Sequence, residues 1–346
     1  MAKVPNFKVA IFSAQSFVED FLQEPLEKAF EEDHLKWIEA RLDKETAELA
    51  NGYDAVCLFV NDSCDASVVD VLAAGGVKFI AMRCAGFDRV DLSRCAHHGI
   101  RVVRVPAYSP RTVAEHAFAL AFGLARHLQL QVQRVKMGNY TLNGLIGFEL
   151  SGKTYGVVGT GKIGIEFIKL LRCLDGRVLA YDPYPSDEAI ALGAEYVPLE
   201  QLLRESDLVS LHCPLFESNF HLMNQERLRM MKPTSILINV SRGGLVDTNA
   251  LIVALEQNTI GAVGMDVYED ESRLFDEDWV EVSTKDRMHK WDRRWSYLKS
   301  FPQVILTPHS AFATKEALGN IADTTIDNLR ACAAGQPLVN EVKPKA

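Results

Sequence analysis

The alternation of strand and helix signals along this 346-residue chain predicts an α/β protein made of two doubly wound parallel-sheet domains with a cleft between them. Three observations support this prediction. Short apolar runs alternate with helical patterns over the first hundred residues. A second alternating series begins near residue 152 and opens with a glycine-rich turn. The length is sufficient for about two domains.

The first hundred residues contain four short apolar runs that predict strands, at 8–12, 55–60, 78–82 and 101–105. Helical patterns lie between them: patches within 21–49 that Pro25 interrupts, a helix at 67–74 and a helical turn at 92–96. Strands that alternate with helices favour a parallel sheet covered by helices on both faces.

A long helix is predicted over 110–136, with Ser109 as its N-cap and Pro110 at its first position. One broad apolar stripe runs along it, formed by Val113, Ala117, Leu120, Ala121, Leu124 and Leu128. Burial inside one domain accounts for such a stripe. A helix this apolar could also bury a second face against a partner subunit.

The glycine-rich turn has the spacing G-x-G-x-x-G, with Gly159, Gly161 and Gly164. An apolar strand leads into it, a helical pattern leads out, and the next strand ends on Asp182. This order is the one that a Rossmann-like dinucleotide site requires. The helix N-terminus would bind the pyrophosphate, and Asp182 would accept hydrogen bonds from the ribose hydroxyls. No Arg or Lys follows in 183–186, so NAD is predicted over NADP.

Further strand runs at 208–211, 236–240, 264–267 and 304–306, with helical segments between them, complete the second domain. A tail helix at 315–334 follows the last strand, and the first unit is its natural host. The segment 275–299 is charged and contains Trp279, Trp291 and Trp295. We interpret it as a surface loop with one helix.

Composition excludes several classes of function. The net charge is −9 with no basic block, so a nucleic-acid partner is not expected. The seven cysteines form no Cys-x-x-Cys pair and no zinc spacing, which indicates reduced thiols and no metal. The chain shows no signal peptide and no apolar run long enough to span a bilayer. We therefore expect a cytoplasmic protein without membrane partners.

Three polar side chains follow strands of the second domain. Arg242 comes just after the strand 236–240, an acidic loop follows the strand 264–267, and His309 follows the strand 304–306. Ligands of open α/β sheets bind at such strand ends. Arg242 could pair with a surface carboxylate, but a substrate carboxylate fits this edge better. Histidine can protonate a forming alkoxide while a carboxylate orients its ring, which is the set that reduction of a 2-keto acid needs.

The chain closely resembles the D-isomer-specific 2-hydroxyacid dehydrogenases, in particular the D-lactate dehydrogenase branch. The resemblance extends over about residues 50–330. It rests on the glycine turn and on the blocks 82–91, 105–110, 239–247, 266–271 and 308–312.

The resemblance implies a function for each matching residue. Arg242, Glu271 and His309 match the catalytic triad. The positions implied to contact substrate are Phe59, Ala85, Gly86, Tyr108 and Phe312. Besides the three glycines, the positions implied to bind the cofactor are Lys162, Ile163, Asp182, Cys213, Pro214, Asn219, Val240, Ser241 and Asp266.

The resemblance also implies the domain organisation. Residues 1–107 and 311–346 would form the substrate domain and residues 108–310 the NAD domain, with the helix near 110–136 joining a homodimer. The chain departs from the family at Lys162 and Cys213, where Arg and Val are common. Phe59 stands where this branch often has tyrosine, which could loosen the substrate preference.

The expected activity is reversible NADH-dependent reduction of pyruvate, or a close small 2-keto acid, to the D-2-hydroxy acid. Two alternatives remain open. One is a D-2-hydroxyacid dehydrogenase for branched or aromatic substrates, because a pocket cannot be sized from sequence. The other is an NAD-sensing, co-repressor-like protein that mainly binds other proteins. The sequence leaves open the substrate side chain, the physiological direction, dimer versus tetramer, and any effector.

Overall fold

The structure is a computed structural model that describes residues 3–271, 274–275, 279, 282–283, 285, 287 and 291–344. It divides into two compact units. The first consists of the residues up to Ser109 together with those from Ala313 onward, and the second is Pro110–Phe312. The sequence places the domain boundaries after residues 107 and 310, whereas the two units divide after residues 109 and 312.

Both units alternate strands with helices. The strands are β1 (Val9–Ile11), β2 (Leu35–Trp37), β3 (Ala55–Leu58), β4 (Phe79–Met82), β5 (Arg101–Arg104), β6 (Thr154–Val158), β7 (Arg177–Tyr181), β8 (Ala194–Tyr196), β9 (Leu208–Leu211), β10 (Ile236–Asn239), β11 (Ala262–Met265), β12 (Val304–Leu306) and β13 (Glu341–Val342). The helices are α1 (Ser16–Ala29), α2 (Ala66–Ala74), α3 (Leu92–His98), α4 (Pro110–Ala125), α5 (Leu128–Lys136), α6 (Lys162–Leu171), α7 (Asp187–Ala191), α8 (Leu199–Glu205), α9 (Gln225–Met230), α10 (Thr248–Glu256), α11 (Arg293–Ser300) and α12 (Lys315–Ala333).

The first unit contains a six-stranded sheet in the order β13-β5-β4-β3-β1-β2. All its neighbouring strands are parallel except the β13–β5 pair. The tail helix α12 packs with α1 on one face, where Ile326 and Leu329 join Val18, Leu22 and Leu26 in one buried cluster. On the other face, Val68, Val69 and Leu72 of α2 belong to a second buried cluster. Covering both faces explains why the central strands are apolar throughout.

The second unit contains a seven-stranded, wholly parallel sheet in the order β12-β11-β10-β9-β6-β7-β8. Its first strand, β6, lies beside β9 and β7, so the order reverses there. Such a switch point is where open α/β sheets bind their ligands. The predicted fold class, two Rossmann-like doubly wound sheets, is thus confirmed.

The helix predicted over 110–136 is divided in two. His127 adopts a left-handed conformation (φ 50°) between α4 and α5. The apolar stripe of α4 is buried inside its own unit, where Leu120 and Leu124 pack against Gly264 of β11. Helix α5 buries no residue, and Leu128 is 49% exposed. The stripe therefore ends at Leu124, and the exposed apolar surface belongs to α5.

Several short elements differ from the sequence prediction. In place of helical patches over 21–49, α1 runs over 16–29 and tolerates Pro25, and the edge strand β2 follows it. The edge strands β8 and β13 were also not predicted. Of the segment 275–299, α11 and single residues before it are described, and the rest lies outside the described residues. Among the residues that are described, no helix is long and apolar enough to cross a membrane.

Candidate active site

The predicted site residues of the second unit follow strand ends that are aligned across its sheet. The aligned terminal residues are Tyr181, Val158, Leu211, Asn239, Met265 and Leu306. The glycine turn follows β6, Asp182 follows β7, and the segments bearing Arg242, Glu271 and His309 follow β10, β11 and β12. Parallel strands present their carboxyl ends at one edge, so the predicted chemistry collects there.

The three glycines of the turn have different surroundings. Gly159 has φ +94°, and a Cβ there would lie 2.6 Å from the Cys213 nitrogen. A Cβ on Gly164 would lie 2.0 Å from the Gly159 oxygen, so this glycine lets α6 pack directly on the turn. A Cβ on Gly161 would meet nothing within 4 Å. Gly161 is exposed at the α6 N-terminus and has no side-chain cap, which leaves room and donors for a pyrophosphate.

Asp182 is fixed against the glycine turn. Its Oδ2 accepts the Thr160 N–H at 2.7 Å, and its Oδ1 accepts the Tyr184 N–H at 2.8 Å. The Tyr196 hydroxyl donates to Thr160 Oγ1 at 2.7 Å and so braces the same turn from β8. The carboxylate remains half-buried beside the turn, where a ribose would lie. Sequence reasoning missed Tyr196 because nothing local links it to residue 160.

The other predicted cofactor positions occupy the loops after β9 and β10. Asn219 Nδ2 donates to the Pro214 carbonyl at 2.8 Å and closes the loop after β9. The Ser241 hydroxyl donates to the Cys213 carbonyl and ties the two loops together. Val240 is buried beside them. Lys162 and Ile163 open helix α6, with Lys162 exposed.

His309 and Glu271 form a hydrogen-bonded pair. His309 Nδ1 lies 2.9 Å from Glu271 Oε1, and Glu271 Oε2 accepts the Tyr268 N–H at 3.1 Å. A carboxylate can only accept, so Nδ1 carries the hydrogen and Nε2 is left for chemistry. The side chains are 18% and 12% exposed. This is the arrangement of an oriented general acid–base.

The pair stabilises the imidazolium form. Burial lowers the pKa of His309, but the hydrogen bond and charge of Glu271, with the charge of Asp266, outweigh it and leave that pKa above its usual value. Burial raises the pKa of Glu271, but the bonds from His309 and Tyr268 reverse this and leave it below its usual value. Both shifts therefore favour the charged forms, the imidazolium of His309 and the carboxylate of Glu271.

Asp266 lies directly behind His309. It is fully buried, and it accepts the Thr307 hydroxyl at 2.6 Å and the N–H groups of Ser310 and Ala311 at 2.8 Å each. His116 on α4 lies 3.4 Å from the same carboxylate. Burial raises the pKa of Asp266, but His116 and Thr307 overcome this effect and lower it. Asp266, predicted to bind cofactor, thus holds the His309 loop in this structure.

Arg242 lies close enough to act electrostatically on the pair. Its positive charge is among the influences that lower the pKa of Glu271 and of His309. A Cβ on Gly243 would lie 2.1 Å from the Tyr268 oxygen. This glycine therefore lets the loop that carries Arg242 pack directly on the acidic turn, residues 268–271, which carries Glu271. Arg242 also donates to the Ser241 carbonyl at 2.8 Å.

The remaining predicted substrate contacts lie mainly in the first unit. Phe59 follows β3 and is 8% exposed, with the Arg83 guanidinium 5.1 Å from its ring centre. Ala85 and Gly86 follow β4, and Arg104 Nη1 donates to the Ala85 oxygen at 2.7 Å. The Tyr108 carbonyl accepts from Asn320 at 2.6 Å. Phe312, by contrast, belongs to the second unit.

No cluster of three or more His, Cys, Asp or Glu residues suited to a metal ion occurs among the described residues.

Comparisons with known proteins show which proteins this chain resembles. The sequence profile described as "D-isomer specific 2-hydroxyacid dehydrogenase, NAD binding domain" matches residues 118–311. The D-lactate dehydrogenase of Escherichia coli (strain K12) is 44% identical over 336 residues, which cover 97% of this chain and 99% of that protein.

Solved structures are similar over the whole chain. The structure titled as identifying the pyruvate reductase of Chlamydomonas reinhardtii has a TM-score of 0.92 and 52% identity, covering 98% of this chain and all of that one. The D-lactate dehydrogenase of Aquifex aeolicus complexed with NAD and lactic acid has a TM-score of 0.84 and 30% identity, with coverage of 98% and 100%.

Proposed function

The chain belongs to the D-isomer-specific 2-hydroxyacid dehydrogenase family and is an NAD-dependent oxidoreductase, and we propose that it interconverts pyruvate and D-lactate. The hydrogen-bonded His309–Glu271 pair carries this proposal, because a keto acid needs a proton donor where its alkoxide forms. The similarity to a D-lactate dehydrogenase and to a pyruvate reductase supports the choice of substrate.

Each residue of the proposed triad has a separate task. NADH, when bound, supplies the hydride. His309 Nε2 donates a proton to the carbonyl oxygen, and it removes that proton in the reverse direction. Glu271 holds Nδ1 and balances the charge of the imidazolium. Arg242 binds the substrate carboxylate and polarises the neighbouring carbonyl.

We propose the same cofactor-binding residues that the sequence analysis predicted. The open space at Gly161 and the uncapped N-terminus of α6 suit a pyrophosphate, and Asp182 suits the ribose hydroxyls. Residues 108–310 then form the NAD domain, and residues 1–107 with 311–346 form the substrate domain. Phe59, Ala85, Gly86, Tyr108 and Phe312 keep their proposed contacts with substrate.

A homodimer formed through α5 and the chain after it is a further part of the proposal. Val132, Val135, Met137, Tyr140 and Leu142 are all more than half exposed there. A surface patch this apolar is typical of a protein interface, and a second copy would cover it. A cytoplasmic location is proposed as well, consistent with seven free thiols.

The test is a panel of 2-keto acids assayed with NADH and with NADPH. We expect pyruvate to give the highest kcat/KM with NADH, NADPH to be used poorly, and the product to be the D-enantiomer. A preference for branched or aromatic keto acids would instead select the alternative dehydrogenase, to which the similar fold of D-2-hydroxyisocaproate dehydrogenase gives some support. NADH binding without turnover of any keto acid would contradict the proposal.

A further inference from the structure

The segment rich in tryptophan joins the acidic turn through Tyr268. The Tyr268 ring is 1% exposed and lies 5.0 Å from the Trp295 ring of α11. Its hydroxyl donates to Asp292 Oδ2 at 2.6 Å. Asp292 is also the N-cap of α11, where it accepts the Arg294 N–H. One buried phenol therefore connects the start of α11 to the turn that carries Glu271.

The same residue also holds the catalytic carboxylate. The Tyr268 N–H donates to Glu271 Oε2, while Oε1 of that carboxylate faces His309. Each oxygen of Glu271 thus has one described partner, one from its own turn and one from the imidazole. Any shift of Tyr268 along this chain of contacts changes how Glu271 meets His309.

Arg294 occupies the other side of the turn. It pairs with Asp292 at 3.1 Å and with Asp270, and it lies 3.8 Å from Glu269. Glu269, Asp270 and Glu271 are consecutive, and three neighbouring carboxylates repel one another. Arg294 neutralises the first two and holds them in place, with His221 bound to Glu269 at 2.6 Å. Glu271 is then the acid of the three that pairs with His309.

We infer that Tyr268, Asp292 and Arg294 are positioning residues, through which α11 sets the geometry of Glu271 and hence the proton affinity of His309. The inference rests on the proposed function only for its kinetic consequence. The groups that face His309 are Glu271, Asp266 and Arg242, with His116 acting on it through Asp266. None of the three positioning residues touches the imidazole, so they act through the turn.

The expected direction follows from these groups. When Glu271 moves away, burial dominates the pKa of His309 and lowers it. Reduction of a keto acid requires protonated His309, so the alkaline limb of its pH profile must move to lower pH. Oxidation of the hydroxy acid requires the neutral imidazole, so the acid limb of the pH profile for oxidation must also move to lower pH.

The experiment compares Tyr268→Phe with Tyr297→Phe. Tyr297 lies on α11, is 45% exposed, and its hydroxyl donates to Glu256, away from the acidic turn. The imidazole of His309 is titrated by NMR and assigned with His309→Gln, which requires no turnover. We expect the pKa of His309 to fall by about 0.5–1 unit in Tyr268→Phe and to stay unchanged in Tyr297→Phe. Asp292→Asn, which keeps an acceptor for the phenol, should shift it less than Asp292→Ala.

The inference and the proposed function can fail separately. An unchanged His309 titration in Tyr268→Phe would refute the inference, even if that variant were less stable or less active. A shifted titration in a protein that reduces no keto acid would refute the proposed function and leave the inference standing. If both hold, the alkaline limb of kcat/KM moves with the titration, while the KM for NADH stays at its wild-type value.

Discussion

The two units present the same kind of sheet edge but use it differently. In the second unit, the side chains after the strands include an imidazole and a carboxylate that are partly open to solvent. In the first unit, the loops after β3 and β4 carry two ionisable residues, Asp62 and Arg83, each of which is only 1% exposed. Similar architecture therefore places ionisable residues at both edges, and the two edges differ in how far solvent reaches those residues.

The two buried charged residues of the first unit make most of their hydrogen bonds within that unit, although Arg83 Nε is buried without a partner among the described residues. Asp62 accepts from the Ser13 hydroxyl at 2.7 Å and from the N–H groups of Leu42 and Phe59 at 2.8 and 2.6 Å. Arg83 donates to the Ser13 carbonyl at 2.9 Å. Burial outweighs the charge of Arg83 and raises the pKa of Asp62. Bonds of this kind fix the loop that carries Phe59, whereas the His309–Glu271 bond leaves Nε2 available.

The largest effect that separates the two edges is expected at His309. His309→Gln keeps a polar side chain beside Glu271 but cannot act as an acid, so kcat should fall by about 10³-fold. The dissociation constant of NADH, measured by fluorescence titration, should not change. His98→Gln, which removes a surface imidazole paired with Asp70, is the control and should keep wild-type activity. Equal losses in both variants would mean that the second edge is not the reactive one.

The opposite behaviour is expected at Asp62. Asp62→Ala leaves the Arg83 charge buried without compensation, which should lower the free energy of unfolding by about 3–5 kcal/mol in urea titrations. NADH binding by protein that remains folded should be close to normal. Asp70→Ala removes a more exposed carboxylate of the same unit, paired with Arg94, and should lower that free energy much less. A stable Asp62→Ala variant with altered turnover would show that this edge is reactive too.

A smaller effect should distinguish the glycines of the turn. Gly161→Ala adds a methyl group to open space, so the protein should fold normally while its affinity for NADH falls about tenfold. Gly164→Ala forces a methyl group against the Gly159 carbonyl. Its main expected effect is therefore a lower thermal midpoint of unfolding. Gly319→Ala in α12, where a Cβ also meets nothing, is the control for affinity. Unchanged affinity in Gly161→Ala would mean that no phosphate approaches this backbone.

The sequence predicted the parts of the fold that repeat a local pattern. The apolar strands and the glycine turn gave the two doubly wound sheets, because strand–helix alternation has few other solutions. Short edge strands such as Leu35–Trp37 contain too few residues to show a pattern. The break at His127 depends on one left-handed residue inside a continuous helical pattern, so it was not visible either.

The residues of the candidate site also fall into two groups, those that could be predicted from the sequence and those that could not. Arg242, Glu271 and His309 follow predicted strands, so their common edge could be predicted. The supports behind them come from distant segments: His116 lies on α4, and Asp292 lies before α11. Neither has a local signal, because a lone histidine or an N-cap aspartate is common on any helix. Contacts of this kind need the tertiary structure.

The tail helix α12 has a consequence for biosynthesis. Its apolar face completes the cluster that buries Val18, Leu22 and Leu26 of α1, yet it is synthesised after the whole second unit. At about 5–20 residues per second, the apolar side of α1 waits for tens of seconds. We therefore expect Pro110–Phe312 to become protease-resistant on the nascent polypeptide before the unit that was begun first. Translation stalled shortly after residue 312 should yield one resistant fragment, and resistance of residues 3–109 at that stage would contradict this order.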